Sequence, residues 1–220
     1  MEAALTLAAL WLAFAVTHMG MSSLRLRPRL VAALGDRGFQ GVYSLVALAI
    51  FVPLVGFYFR HKHAGPLLWS LGGVPGLRHA MYLGMALTFA LLVGGLMRPS
   101  PTGMIPTKAE VRGMLRVTRH PVFMALGLYG VLHLLVVSVC ASELAFFGGF
   151  PVFAVVGSRH QDLRKRAAGS AELKGFEAAT SLLPDPRGLV RALRDDPLPA
   201  ALGVGLAFLL RSFHPTLFGP

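Results

Sequence analysis

The sequence predicts an all-α, polytopic integral membrane protein with about six transmembrane helices and a cytoplasmic amphipathic segment. Composition is the first reason: 55% of the 220 residues are hydrophobic and only 14% are charged, whereas soluble domains are about 25% charged. The second reason is a series of long apolar stretches, and the third is the clustering of cations in alternate loops. No internal repeat or polar linker divides the sequence, so residues 1–220 are predicted to form a single membrane domain.

Six apolar segments are candidate membrane spans, which need roughly 17–25 residues each. They are Ala3–Met21, Phe39–Phe59, Arg78–Met97, Pro121–Val139, Ala141–Gly157 and Pro197–Leu210. The first could instead be a cleaved signal peptide. However, Glu2 stands where a basic n-region is expected and no Ala-x-Ala site precedes Arg25. We therefore predict that the first segment is retained as a span.

The distribution of the cations predicts the topology. Six spans place segments 22–38, 98–120 and 158–196 on one side of the membrane. These segments hold all but four of the 21 lysines and arginines, the exceptions being Arg60, Lys62, Arg78 and Arg211. The positive-inside rule then places the three segments in the cytoplasm and both termini outside. The net charge of +11 therefore reports topology and contact with the anionic lipid bilayer, and no nucleic-acid partner is expected.

The loops between the spans carry their own signals. Leucines and a valine among arginines predict a short interfacial helix within 22–38, begun near Pro28 and ended by Gly35 and Gly38. Segment 64–77 predicts an ordered outer loop with Trp69 as an interfacial anchor. Segment 138–142 is so short that the flanking helices must form a tight antiparallel hairpin.

The cytoplasmic segment 158–196 predicts an amphipathic helix and a proline-marked return, with Leu173, Phe176 and the pair Leu182–Leu183 as membrane-facing contacts. Three glycines, Gly148, Gly149 and Gly157, are small enough to let helix backbones approach closely. The single cysteine, Cys140, cannot form an internal disulfide. It could be a soft metal ligand, but a small apolar residue in a turn is the simpler interpretation.

Four histidines lie in loops and are most simply solvated. His61, His63 and His79 fall in the outer loop, and His160 falls in a run of charges. His61 and His63 could bind a metal together, but no third ligand is evident near them in the sequence, and zinc usually requires three or four.

Histidines within or at the ends of spans are candidate functional residues, because lipid offers the imidazole no partner. These are His18, His120, His133 and His214. Depth in the membrane pairs His18 with His120, and His133 with His214. Two imidazoles from different helices are a common way to hold a haem iron. The alternative is that each histidine only bridges helices by hydrogen bonds.

The corner Arg119-His120-Pro121 also has two readings. Proline suits the first position of a helix, where its missing N–H is not needed. The functional reading is an anion or cofactor site, because helix N-termini offer free N–H groups and Arg119 offers a guanidinium.

Four motifs follow one another along the chain: Thr17–Arg25, Leu34–Val46, Thr118–Pro121 followed by His133, and Phe213–Gly219. In the order and spacing of these motifs the chain resembles the NnrU family of bacterial membrane proteins, whose plant relatives are the zeta-carotene isomerases. The resemblance covers nearly the whole chain. It implies a protein of the bacterial inner (plasma) membrane associated with denitrification gene clusters and, in the isomerase branch, a haem b held by histidines.

On this resemblance the haem ligands are His18, in the motif His-x-Gly-x-x-Ser-Leu-Arg that ends at Arg25, and His133, with His120 as the alternative. Arg25 and Arg119 are further candidate cofactor-binding residues. Isomerase-type sequences carry a cysteine three residues before the second histidine. Gly130 stands there in this chain, which argues against a mechanism that switches to that sulfur.

A second resemblance is confined to residues 116–184. Its layout is similar to that of isoprenylcysteine carboxyl methyltransferases, which implies S-adenosylmethionine bound by His120, Arg119 and Asp162. Those enzymes carry paired glutamates where this chain has Gln161-Asp162. Three functions follow: a haem-dependent isomerase or redox protein with an apolar or polyene substrate, a methyltransferase, and a non-catalytic accessory or assembly protein. The sequence names neither the substrate nor the oligomeric state.

Overall fold

A computed structural model describes residues 1–103, 108, 110–136, 138–167, 169 and 171–218. Gly219, the last residue of the fourth motif, lies outside this set. The chain is 77% helical, which confirms the all-α prediction. The helices are α1 (Glu2–Met21), α2 (Leu26–Arg60), α3 (Leu77–Met97), α4 (Pro121–Val136), α5 (Ala141–Ala167), α6 (Ala171–Ala178), α7 (Leu189–Asp195) and α8 (Pro197–Phe218). Two short strands, β1 (Leu67–Trp69) and β2 (Val139–Cys140), pair antiparallel.

Five helices, α1, α2, α3, α5 and α8, are long and apolar enough to cross a membrane. Helix α4 is apolar but has only 16 residues, which gives a length of about 24 Å. All six predicted spans therefore appear as helices, and the prediction of a polytopic membrane protein is confirmed. Large apolar side chains such as Leu12, Leu45, Val52 and Leu83 are exposed, as expected of surfaces that face lipid.

Helix α2 differs from the prediction at its start. We expected a separate interfacial helix ended by Gly35 and Gly38, but the helix continues from Leu26 into the span with a bend. The bend lies at Gly35, which has φ 71° and ψ 167°. Glycine adopts this conformation without a Cβ clash, so it redirects the helix without ending it.

The contacts divide the chain into two compact units. The first comprises Met1–Gly73 and His133–Gly149, and the second comprises Val74–Leu132 and Phe150–Pro220. The single-domain assignment stays a prediction.

The first unit is held by α1, α2 and the end regions of α4 and α5. Trp11 of α1 donates a hydrogen bond from Nε1 to the carbonyl of Phe146, 3.0 Å away. A Cβ at Gly149 would lie 2.2 Å from the Trp11 indole, so this glycine makes room for a side chain of α1 rather than for the backbone of another helix. Trp69 of β1 donates from Nε1 to the carbonyl of Leu134 at 2.9 Å, which ties β1 to the end of α4.

The second unit is organised around the packing of α3 against α8. A Cβ at Gly203 in α8 would lie 2.4 Å from the Phe89 carbonyl oxygen of α3, so glycine lets the two backbones touch. Gly157 of α5 similarly accommodates the Phe123 ring of α4, which lies 2.8 Å from the position of its missing Cβ. The core beneath is apolar and consists of Ala90, Leu91, Met114, Val117, Ala125, Ala192 and Ala200.

Segment 158–196 is more helical and more buried than the sequence suggested. Helix α5 extends from the predicted end at Gly157 to Ala167 and is followed by α6, a 3₁₀ turn at Pro186–Gly188, and α7. The expectation that Phe176 faces the membrane is wrong, because this side chain is 2% exposed and belongs to the protein core. Leu183, by contrast, is exposed.

Candidate functional site

His18 lies in the last turn of α1 within a set of aromatic rings. Its imidazole stacks on Phe14, with centroids 5.1 Å apart, and lies 4.4 Å from the ring of Tyr43. Tyr43 in turn contacts Phe39, and both are buried. Tyr43 and Phe39 belong to the second motif, so the fold brings the first two motifs of the sequence together around His18.

The turn between α1 and α2 is built by the remaining residues of the first motif. The Ser22 hydroxyl donates to the carbonyl of His18 at 2.9 Å, and the Leu26 N–H donates to the Ser23 hydroxyl at 3.2 Å. Serine hydroxyls commonly satisfy backbone groups at helix ends in this way. Arg25 follows as the N-cap residue of α2 and is exposed.

His133 lies in the last turn of α4. Its imidazole stacks nearly parallel on the ring of Phe147 in α5, with centroids 4.5 Å apart and an interplanar angle of 14°. Phe147 is buried and meets Tyr58 edge-on at 5.3 Å. His18 and His133 are both half-buried and both belong to the first unit.

The hydrogen bond from Trp11 to the Phe146 carbonyl sets the register between α1 and α5. His133 packs on the next residue, Phe147, whereas His18 lies seven positions beyond Trp11. Seven residues of helix correspond to about 10 Å along the axis. A ligand shared by the two imidazoles has to span an offset of this order.

The Arg119-His120 corner belongs to the second unit and is joined to α5 by a buried carboxylate. Asp162 accepts hydrogen bonds on Oδ2 from Arg119 Nε at 2.9 Å and Nη2 at 2.7 Å. Its Oδ1 lies 2.7 Å from His120 Nε2. All three residues are less than 9% exposed. The three residues that the methyltransferase-like resemblance grouped together are therefore in direct contact.

Backbone hydrogen bonds lock the same corner to the return after α6. Arg119 donates from its backbone N–H to the Ser181 carbonyl at 2.9 Å and from Nη1 to the Thr180 carbonyl at 3.0 Å. The Thr118 hydroxyl donates to the Leu182 carbonyl at 2.7 Å. The corner thus forms a closed polar cluster, and its groups satisfy one another as buried polar groups require.

A cavity of about 150 Å³ adjoins this return. It is lined by Val111, Arg116, Ala179, Ser181, Asp185, Gly188 and Arg191. Sites for cofactor-sized ligands commonly measure about 300–1,000 Å³. The cavity is therefore smaller than an S-adenosylmethionine site requires.

The 3₁₀ turn at Gly113–Arg116 that leads into the corner is held by an ion pair. Arg116 Nε hydrogen-bonds Asp195 Oδ2, and this hydrogen bond lowers the pKa of the Asp195 carboxyl below its usual value. The pair is therefore ionised at neutral pH, and it ties the turn to α7.

The structure places the other histidines as follows. His214 is exposed on α8, and His79 is exposed at the start of α3. His61 Nδ1 lies 2.9 Å from the Phe57 carbonyl oxygen, which fits its place at the end of α2 rather than a shared site with His63. His160 lies within α5, a helix that runs past the expected span end.

One buried ionisable residue escaped the sequence analysis. Glu143, in the first turn of α5, is 0% exposed and lies close to both His63 and Cys140. A lone acid in the first turn of an apolar helix was the available signal, because intramembrane carboxylates are rare without a partner. The partner was hidden, since His63 lies 80 residues away in the chain.

These features define a polytopic helical membrane protein with histidines set among aromatic rings of one unit and a closed Arg-His-Asp cluster in the other. The NnrU protein family model matches residues 6–220. The chain therefore belongs to the NnrU family.

Two curated relatives share its sequence at low identity. The chain is 24% identical to the chloroplastic 15-cis-zeta-carotene isomerase of Arabidopsis thaliana over 182 residues, which are 79% of this chain and 47% of that relative. It is 26% identical to the protein of the same name from Zea mays over 116 residues, covering 49% of this chain and 30% of that relative. The chain thus spans about half the length, or less, of these relatives. No solved structure matches it.

Proposed function

We propose that this NnrU-family protein is a haem-dependent isomerase of an apolar polyene, with haem b held by His18 and His133. The observation that carries the proposal is the environment of His18: the first two family motifs converge there, and the imidazole is packed between Phe14 and Tyr43. The names of the two plant relatives supply the reaction class.

The residues of the first unit fit a haem in donor type and surroundings. Imidazole nitrogens from two helices are a usual axial ligand set for a b-type haem. The rings of Phe14, Tyr43 and Phe147 around the two histidines offer an apolar, polarisable surface to a macrocycle. Arg25 is exposed beside the turn that follows His18, where its guanidinium suits the carboxylates of a haem.

His133 is favoured over His120 as the second ligand by the contacts of His120. Its Nε2 is 2.7 Å from the Asp162 carboxylate, and its side chain is 1% exposed. Ligating iron through Nε2 would remove a hydrogen bond from a fully buried cluster, which is costly. His133 is half-buried, and its ring packs on Phe147.

A bound haem would supply an iron whose redox state decides whether a coordination position is open to the polyene. The chain's own residues would orient the imidazoles, exclude water from the reacting double bond and offer aromatic surfaces along which an extended hydrocarbon can bind. The lipid bilayer would deliver such a substrate directly to the first unit.

The placement of the protein belongs to the same proposal: a bacterial inner membrane, with both termini outside and the basic segments in the cytoplasm. A redox role linked to denitrification, or an accessory role without catalysis, would use the same membrane fold. The S-adenosylmethionine alternative draws support from the contact of Arg119, His120 and Asp162. Those side chains, however, are occupied by one another, which favours a structural role for the cluster.

The test of the function is isomerisation itself. Purified protein in lipid vesicles is given 15-cis-zeta-carotene under reducing conditions, and the isomers are separated by chromatography. We expect conversion by the wild type and by His79→Ala, whose histidine is exposed, and at least a roughly hundredfold slower conversion by His18→Ala. Equal rates for His18→Ala and wild type, or no conversion by haem-loaded wild type, would overturn the proposal.

A further inference from the structure

We propose that His63, Cys140 and Glu143 form a binding site for a divalent cation of the zinc type, separate from the haem ligands. One ligand atom from each residue lies within 4.8 Å of the others. His63 lies in the turn after α2, Cys140 in β2 and Glu143 in the first turn of α5. All three belong to the first unit, on the side that the charge asymmetry predicts to be outside the cytoplasm. The inference does not depend on the isomerase proposal.

Backbone pairing holds these segments together. Leu67 of β1 pairs with Cys140 of β2. Next to this ladder, the Ser142 N–H donates to the Ala64 carbonyl at 3.1 Å, and the Ala64 N–H donates to the Ser142 hydroxyl at 3.0 Å. The three candidate ligands are thus fixed by hydrogen-bonded backbone on both sides, as a preorganised site requires.

His63 is held in an unusual backbone conformation at the centre of this arrangement. Its φ is 58°, and no other non-glycine residue in the described part of the chain has a positive φ. Such a conformation costs on the order of 1 kcal/mol for a residue with a side chain. Its imidazole is directed at Glu143: Nδ1 lies 3.5 Å from Oε1. A local strain that aims a side chain at a buried carboxylate is typical of a binding site.

The distances suit tetrahedral zinc. Zinc bonds of about 2.0–2.3 Å to nitrogen, oxygen and sulfur give separations between ligand atoms of about 3.3–3.6 Å. The imidazole and carboxylate are already at this separation. The thiol, within 4.8 Å of both, would move by about 1 Å, which a rotation of the Cys140 side chain can provide.

The donor set selects the class of metal. A thiolate, an imidazole and a carboxylate suit zinc and similar borderline cations, whereas calcium and magnesium prefer oxygen ligands alone. Three protein ligands also leave a fourth position open to water. His63 provides the entry path, because its side chain is 61% exposed.

The surroundings of the carboxylate resemble the outer shell of a metal site. Glu143 accepts hydrogen bonds from the backbone N–H groups of His63 at 2.8 Å and Cys140 at 3.1 Å. The Ser142 hydroxyl donates to Oε2 at 3.2 Å. Such bonds fix the direction of a ligating carboxylate. A cation would offset the charge of a group that is otherwise fully buried, and Cys140 would release its thiol proton to solvent on ligation.

The test is zinc binding by the full chain. Detergent-purified protein is stripped of metal and titrated with Zn²⁺ against a chromophoric chelator, with the bound metal counted by mass spectrometry. Titration with Co²⁺ follows, because cobalt bound to a thiolate gives an absorption band. We expect one Zn²⁺ per chain in the wild type.

The decisive variant is His63→Gly. Glycine favours the observed φ, so the fold is preserved while a ligand is lost. We expect its zinc affinity to fall by at least roughly tenfold and the Co²⁺ band to disappear in Cys140→Ser. His79→Ala, which removes an exposed histidine from the same side, should bind as the wild type does.

Zinc bound equally by wild type and His63→Gly would mark adventitious binding and overturn the proposal, as would the absence of tight binding in the wild type. Haem content is read in the same samples and should be unchanged in His63→Gly. Failure of this proposal is therefore distinguishable from failure of the haem proposal.

Discussion

Asp162→Ala is expected to lower the free energy of unfolding by about 3–5 kcal/mol, because it leaves the buried guanidinium of Arg119 without its counter-charge. Arg119 loses two hydrogen bonds of 2.7–2.9 Å and His120 loses one. The measurement is thermal unfolding of the purified protein in detergent, followed by helical circular dichroism.

The matched control is Asp195→Ala. Asp195 also pairs with an arginine, but the side chains of the pair, Arg116 and Asp195, are 33% and 23% exposed, so its loss should cost far less than the loss of Asp162. Asp162→Asn, which keeps a hydrogen-bond acceptor without the charge, should fall between Asp162→Ala and wild type. If Asp162→Ala were as stable as Asp195→Ala and instead abolished saturable S-adenosylmethionine binding, the cluster would be a cofactor site rather than a structural clamp.

Glu143→Ala is the second substitution with a large expected effect. The substitution removes the carboxylate that accepts hydrogen bonds from the backbone N–H groups of His63 and Cys140. Both N–H groups therefore lose their acceptor. The Cys140 donor is buried, and leaving it unsatisfied should cost about 1–3 kcal/mol, whereas the N–H of the exposed His63 can bond to water instead. Thermal unfolding checks the size of the effect, and hydrogen exchange checks its place: the Cys140 amide should exchange faster.

Glu143→Gln separates the charge from the hydrogen bonds. Its amide oxygen can still accept one of the two backbone N–H bonds, so it should retain more stability than Glu143→Ala while losing zinc affinity. Unchanged exchange at Cys140 in Glu143→Ala would contradict the account of Glu143 as the link between the turn at His63 and the strand at Cys140.

The sequence predicted the helical membrane fold well because long apolar runs leave the backbone few alternatives in lipid. It predicted the ends of helices less well. Gly35 was expected to end a helix but bends one, since a glycine's positive φ permits either outcome. Similarly, α5 continues to Ala167 because residues beyond Gly157 find partners within the protein: Asp162 forms an ion pair with Arg119.

The candidate sites differ in the same way: those marked by a local pattern could be predicted, and those built from residues distant in the chain could not. His18 could be singled out because an imidazole near a span end is unusual in any sequence, and its motif marked it further. Glu143 could not be assigned a role, because its partner His63 lies 80 residues away. The β1–β2 pairing that brings the two together involves strands of only three and two residues, too short to leave a period in the sequence. Asp162 was noted as a departure from paired glutamates, yet it is the residue that holds both Arg119 and His120.

The most direct test of the central claim is an absorption spectrum of detergent-purified protein, oxidised and then reduced with dithionite, after expression with a haem supply. The account predicts a b-type Soret band in wild type and in His79→Ala, its loss in His18→Ala, and its loss or shift in His133→Ala with retention in the zinc-site variant His63→Gly. A wild type without haem, or a His18→Ala protein with an unchanged band, would contradict it.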